Sequence, residues 1–174
     1  DRPIHQKSQL TTQMVVLKKQ NLKASEYAKK SIQELFSESV LQKTTVREVN
    51  TSETLIAFND GNGNFTTKAL PARTQLSCVC GITCSDVNKD GKLDIIMGGN
   101  NFEFRPQFSR LDADYGSVLI NNGDEDFTWQ EYDTSGFFIR EEIKHINQFK
   151  DKNGKTFVFV AINNEKPRVF EINP

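Results

Sequence analysis

The chain has 174 residues, with 22 Lys and Arg against 23 Asp and Glu and a formal net charge of −1. So even a balance provides no electrostatic drive toward nucleic acid or an anionic membrane. Mean hydropathy is −0.56, and no apolar run approaches the roughly 18 residues that a membrane-spanning helix needs. The length suits a domain with its own core. The chain opens at Asp1 rather than Met and is expected to be a mature or excised piece, so the missing signal peptide carries little information.

Residues 1–43 read as a helical connector or cap. Leu10, Met14 and Leu17 share one face, and Tyr27, Ala28, Ile32, Leu35 and Phe36 form a second stripe behind an expected N-cap at Ser25. From residue 44 to 174 the pattern changes to short β-rich runs between Gly, Asn and Asp turns. Strands are expected at 54–58, 65–69, 76–84, 94–98, 117–120, 127–129, 155–162 and 168–172, with His145 on a further strand. Such spacing predicts a sandwich, barrel or propeller, and thirteen phenylalanines suit β packing.

Three features stand out along this β region. Cys78, Cys80 and Cys84 are odd in number and evenly spaced, so they share a strand face. They read as buried structural thiols, in preference to one disulfide or a zinc site. Next, residues 86–94 place oxygen-bearing side chains at Asp86, Asn88, Asp90 and Asp94, with Gly91 after the third. A hard cation such as Ca²⁺ takes six to eight oxygens, and glycine permits the sharp turn that aims the Lys92 carbonyl inward and its side chain to water. The bland alternative is a solvated turn. Position twelve from Asp86 is Met97, so the bidentate glutamate of an EF-hand is missing. Third, the longest loop, 101–116, carries Phe102, Phe104, Arg105, Phe108, Arg110, Asp112, Asp114 and Tyr115. Aromatic and Arg side chains are favoured interface anchors. The competing expectation is that the rings pack under the loop and Arg110 pairs with Asp112 or Asp114.

An internal repeat chooses among the β architectures. The turn at 59–65 recurs at 121–127, an offset of 62, and the segment 90–101 recurs at 153–164, an offset of 63. A unit of about 60 residues with four strands reads as a propeller blade. The fold expected is mainly β: a partial β-propeller of about two and a half blades of antiparallel strands with an N-terminal helical segment. Residues 76–131 supply a full blade, and 54–69 and 139–172 supply partial ones. So few blades do not close a ring, so the remainder of a longer propeller chain is expected as a partner. In the second copy Phe149 aligns with Asp86 and Phe157 with Asp94, so one calcium site is expected, not two.

The loop 86–94, the run Ile95-Ile96-Met97-Gly98-Gly99-Asn100 and the turn Asn59 to Phe65 resemble FG-GAP/VCBS repeats. Tyr27-Ala28, Ala69-Leu70-Pro71, Gln75-Leu76-Ser77, Arg110-Leu111-Asp112 and Gly116-Ser117-Val118-Leu119 resemble the C-terminal part of large bacterial extracytoplasmic VCBS-repeat proteins. The resemblance covers about residues 25–172. It implies an integrin-α-like propeller and calcium held by Asp86, Asn88, Asp90, the Lys92 carbonyl and Asp94. It also implies export, as a secreted, periplasmic or surface lipoprotein, and it brings no catalytic residues.

Two functions follow as expectations. The first is a calcium-stabilised binding module for a protein or glycan, its metal structural, with the candidate recognition residues Phe102, Arg105, Arg110, Asp112, Asp114 and Tyr115. The second is part of a polysaccharide-active hydrolase or lyase, using carboxylate pairs such as Asp112 with Asp114 or Glu141 with Glu142. Adjacent strand residues face opposite ways, which speaks against the latter pair. A purely architectural role stays open beside both.

Overall fold

The computed structural model describes residues 2–104 and 109–173. The chain divides into two compact units, Asp1–Asn50 and Thr51–Pro174.

The first unit holds five short helices: α1 (Lys7–Gln13), α2 (Val15–Gln20), α3 (Ala24–Tyr27), α4 (Ile32–Leu35) and α5 (Glu38–Leu41). Leu17, Tyr27 and Leu35 are buried, but Met14 ends α1 and is exposed. The cap expected at Ser25 is not one: Ser25 lies inside α3, whose N-cap is Lys23. The working cap is Ser31, which forms a capping box with Glu34. Glu34 lies three residues after Ser31, so each side chain satisfies the other's backbone N–H, and a new helix starts there instead of the old one continuing.

The second unit is β-rich, with three antiparallel sheets. The first pairs β1 (Leu55–Asn59) with β2 (Phe65–Ala69). A 3₁₀ turn, Ala72–Gln75, delays the next strand to Val79, three residues later than the sequence suggests. The second sheet is a meander of β3 (Val79–Ser85), β4 (Asp94–Gly99), β5 (Ser117–Gly123) and β6 (Asp126–Trp129). After the short α6 (Tyr132–Ser135), the third sheet joins β7 (Ile143–Lys150), β8 (Thr156–Ile162) and β9 (Arg168–Glu171).

The internal repeat is visible in strand register. Asn59 pairs with Phe65 as Asn121 pairs with Phe127. Each Asn accepts from the glycine two residues on, Gly61 at 2.8 Å and Gly123 at 2.9 Å. The β3–β4 and β7–β8 hairpins match as well: Val79 pairs with Gly99 as Ile143 pairs with Ile162, and both pairs border a bulge. The first strands differ by 143 − 79 = 64 and the second by 162 − 99 = 63. The loop at 86–94 is therefore one residue longer than its copy. Strand register makes Ser85, not Asp86, the counterpart of Phe149.

β4 is buried along its whole length, and its side chains serve two cores. Ile95 and Met97 pack with Leu70 and Leu119, against Ile56, Phe127 and Trp129. Ile96 points the other way, toward Val118, Ile143, Ile146, Val158 and Val160. Alternating strand residues reach opposite faces, so a continuous apolar run belongs to a strand covered on both sides. β3 and β7 approach closely: a Cβ on Gly81 would lie 2.8 Å from the Ile146 backbone nitrogen.

Candidate functional site

The loop 86–94 joins β3 to β4. Its carboxylates are spent first on its own backbone. Asp86 accepts from the N–H groups of Asp90 at 3.1 Å and Gly91 at 2.9 Å, Asn88 accepts from Asp90 at 3.0 Å, and Asp90 accepts from Lys92 at 2.9 Å. The Lys92 amide holds the Asp90 carboxyl below the usual carboxylate range, against the opposing effect of burial. Lys89 and Gly91 both take positive φ, 61° and 86°, which curls the loop so that the oxygens at alternate positions turn inward. Asp94 is fully buried and joins the start of the loop to β5, accepting from Val87 and Asn121 N–H, each at 2.8 Å. The Lys92 side chain is exposed, as expected, and also makes surface contacts. Its ammonium donates to the Asn122 carbonyl at 3.2 Å and lies 3.6 Å from Asp90, because the β5–β6 turn offers a carbonyl within reach.

As a test of fit to a hard cation, every candidate ligand is oxygen, and carboxylate oxygens that accept one N–H retain capacity for more. Among the described residues, however, no three His, Cys, Asp or Glu groups gather as a metal cluster. In the copy, Phe149 and Phe157 are cross-strand partners whose rings stack at 5.5 Å. Their neighbour Asp151 accepts from Asn153 and Lys155 N–H at 2.8 Å each. Burial pushes its carboxyl up, but the hydrogen bonds from Lys155 and Asn153, with the Lys155 charge, together outweigh it and leave the group low.

The loop 101–116 is anchored at its base by Asn100, which is buried with φ 86°. Its amide nitrogen donates to the Asp114 carbonyl at 2.7 Å, and its oxygen accepts from Asp114 N–H at 3.1 Å. Asn101 and Leu111 form a two-bond bridge above it. Arg110 donates to Asp112 at 2.8 Å and stacks over Phe102 at 4.8 Å. Phe102 is half-buried and Phe104 exposed. The Asp114 carboxylate accepts from Gly99 and Gly116 N–H, and burial raises its pKa. Arg105 and Phe108 lie outside the described residues.

Tyr115 leaves the recognition loop for a group that the sequence reading missed. It packs against Tyr132 and Phe138, while Tyr132 also meets Trp129 edge-on at 5.1 Å. Arg73 stacks over Trp129 at 5.3 Å, and Arg140 stacks over Phe138 at 5.3 Å and Tyr115 at 5.7 Å. Phe138 and both arginines are exposed, and among the described residues neither arginine makes an ion pair. The only sequence signal was composition, since these residues come from a 3₁₀ turn, a loop, β6, α6 and the segment before β7.

The carboxylate pairs weighed for catalysis stand apart in their partners. Glu141 pairs with Arg168 at 2.6 Å, whereas buried Glu142 pairs with Lys144 at 2.7 Å and accepts from Asn163. The Lys144 hydrogen bond keeps Glu142 low. Asp112 and Asp114 likewise serve different groups. His145 is exposed on β7. The cysteines are not buried as expected: Cys80 and Cys84 are exposed and Cys78 is half-exposed. β3 is a sheet edge whose inward face, at Gly81 and Ser85, packs inside the unit, so the cysteine face is left outward. Comparison with family models, curated proteins and solved structures returned no match.

Proposed function

We propose that the β unit is part of an FG-GAP/VCBS-like propeller in an exported protein, and that it binds a protein or glycan ligand. The observation that carries the propeller reading is the double match of register. β1–β2 repeats as β5–β6, β3–β4 repeats as β7–β8 down to the bulge, and strands fall into groups of two, four and three. That grouping is what successive blades would leave when cut at these points, and a four-stranded meander with apolar side chains on both faces suits a blade between neighbours.

Calcium is proposed as a structural ion held by Asp86, Asn88, Asp90, the Lys92 carbonyl and Asp94. It would cross-link a loop already curled by its own amides, stabilising the folded state by mass action. It would take no part in catalysis.

For the ligand surface, the cluster Trp129, Tyr132, Phe138 and Tyr115 with Arg73 and Arg140 is favoured over the tip of loop 101–116. Arg110 and Asp112 satisfy each other, whereas Arg73 and Arg140 stack on rings and, among the described residues, pair with no carboxylate. Rigid aromatic faces with arginine beside them are the composition of binding hot spots. Glycan-array and pull-down measurements on the chain test this. Capture lost by at least tenfold in Arg140→Ala and Tyr132→Ala, and changed little in Arg110→Ala, supports the surface. Absence of any captured ligand favours the architectural role.

A further inference from the structure

β3 starts at a bulge. Its register steps from Val79↔Gly99 to Gly81↔Gly98, which leaves Cys80 as the extra residue. A bulge bends and twists the strand and re-aims the side chains around it. Here it brings Cys78 and Cys80 together, with their sulfurs 3.7 Å apart. The matching hairpin shows that this contact belongs to the bulge. There the register steps from Ile143↔Ile162 to His145↔Ala161, and the residues equivalent to Cys78 and Cys80, at the same offset of 64, are Glu142 and Lys144. Those two side chains also meet, at 2.7 Å. One copy thus fills the site with an ion pair and the other with two thiols.

We propose that Cys78 and Cys80 are a redox-active dithiol, which closes to an intramolecular disulfide by exchange with a small-molecule disulfide such as oxidised glutathione. Exposed Cys80 is placed to react first: its thiolate attacks one sulfur of the small disulfide, forms a mixed disulfide and expels one thiolate. The Cys78 thiolate then attacks Cys80 sulfur, forming the protein bridge and expelling the second thiolate. Two protein thiols are oxidised and one small disulfide is reduced to two thiols, the expelled thiolates taking up, through solvent, the two protons that the protein thiols lose. The sulfurs need close only from 3.7 Å to the roughly 2.05 Å of a disulfide. A bridge between residues two apart is strained, and strained, exposed bridges are the readily reduced ones. Burial and the neighbouring Cys78 raise the Cys80 thiol, so exchange quickens as pH rises.

The site also touches the base of loop 101–116. Cys80 sulfur lies 3.8 Å from the Asn100 carbonyl, and the Cys78 carbonyl accepts from Asn100 N–H at 3.4 Å.

Intact mass after incubation of the reduced chain across a series of glutathione redox poises tests the proposal. The wild type and Cys84→Ser should each lose two hydrogens reversibly. Cys78→Ser and Cys80→Ser should not. Cys78→Ser should accumulate a stable glutathione adduct at Cys80, at least tenfold above the wild type, because the resolving thiol is gone. A stable adduct on wild-type Cys80, a bridge that needs Cys84, or oxidation of Cys84 alone overturns it. Circular dichroism of each variant separates misfolding from lost chemistry.

Discussion

The β3–β4 and β7–β8 hairpins share a register, a bulge and a glycine turn, yet they close by opposite physics. In the first, buried Ser85 and Asp94 face each other as cross-strand partners, and the Asp94 carboxylate ties Val87 and Asn121 amides to the strand. In the second, the same pair is Phe149 and Phe157, stacked ring on ring. One hairpin is held by charge-assisted hydrogen bonds to the backbone, the other by dispersion and desolvation. A polar clasp keeps oxygens in the loop, where the proposed cation would bind. The aromatic clasp closes a loop that is one residue shorter. The backbone of a repeat can persist while the chemistry of its closure is exchanged.

The largest expected effect separates the two clasps directly. Asp94→Ala leaves two part-buried amides without acceptors and should cost about 3 kcal/mol, since each lost charged hydrogen bond is worth ~1.5–3 kcal/mol. A urea midpoint shifted by the equivalent of under about 1 kcal/mol would break the comparison. Phe157→Ala should cost less, about 1.5 kcal/mol, because the ring is only half-buried and loses one stack. If it proves as damaging as Asp94→Ala, the two clasps are not of different strength.

Calcium should act on one hairpin only. At ten times its Kd it would contribute about 1.4 kcal/mol, or ~4 °C in the melt. Asp90→Ala should abolish the gap between calcium and EDTA melts, and Asp151→Ala should preserve it. An equal gap in wild type and Asp90→Ala removes calcium from this loop.

The smallest effect is acid sensitivity. Asp90 and Asp151 are both held below their ordinary values in the folded chain. For a depressed carboxylate the unfolded state binds the proton more readily. Its stabilisation is full above the unfolded value of about 3.9 and is lost as pH falls through the lower folded value. Asp90→Asn and Asp151→Asn should each flatten the melt-versus-pH curve below about pH 4, by similar amounts. Asp114 has the opposite sign: burial raises it, so the strain of its charge is relieved as pH falls through its raised value. Asp114→Asn should therefore steepen the acid loss. Flattening in one hairpin alone would show that their turns are not equivalent.

Much of this was legible because it is local. The Asn59 and Asn121 turns need a side-chain oxygen and a glycine two residues on, and both lie within a few residues of sequence. The run Ile95-Ile96-Met97 was legible as a strand, whereas its cover on both faces emerged from the packing. Other features failed to show because they depend on partners far away in the chain. Even spacing put the cysteines on one face of β3, but whether that face was covered depended on where β7 packed. The alignment of Asp86 with Phe149 slipped by one residue because the loop change is invisible until strands are paired. The aromatic group of Tyr115, Trp129, Tyr132 and Phe138 comes from separate elements, so no spacing announced it.

By itself, then, the sequence determined the turns, the alternation of the strands, the repeat and the oxygen-rich loop, since each is set by the conformational preferences and hydrogen bonds of neighbouring residues. Only the tertiary structure decided that Asp94 is a buried latch, that Arg73 and Arg140 flank one aromatic surface, and that Cys78 meets Cys80. Those outcomes follow from cross-strand register and from which faces are left uncovered. Both are collective properties of paired strands, and no single segment contains them.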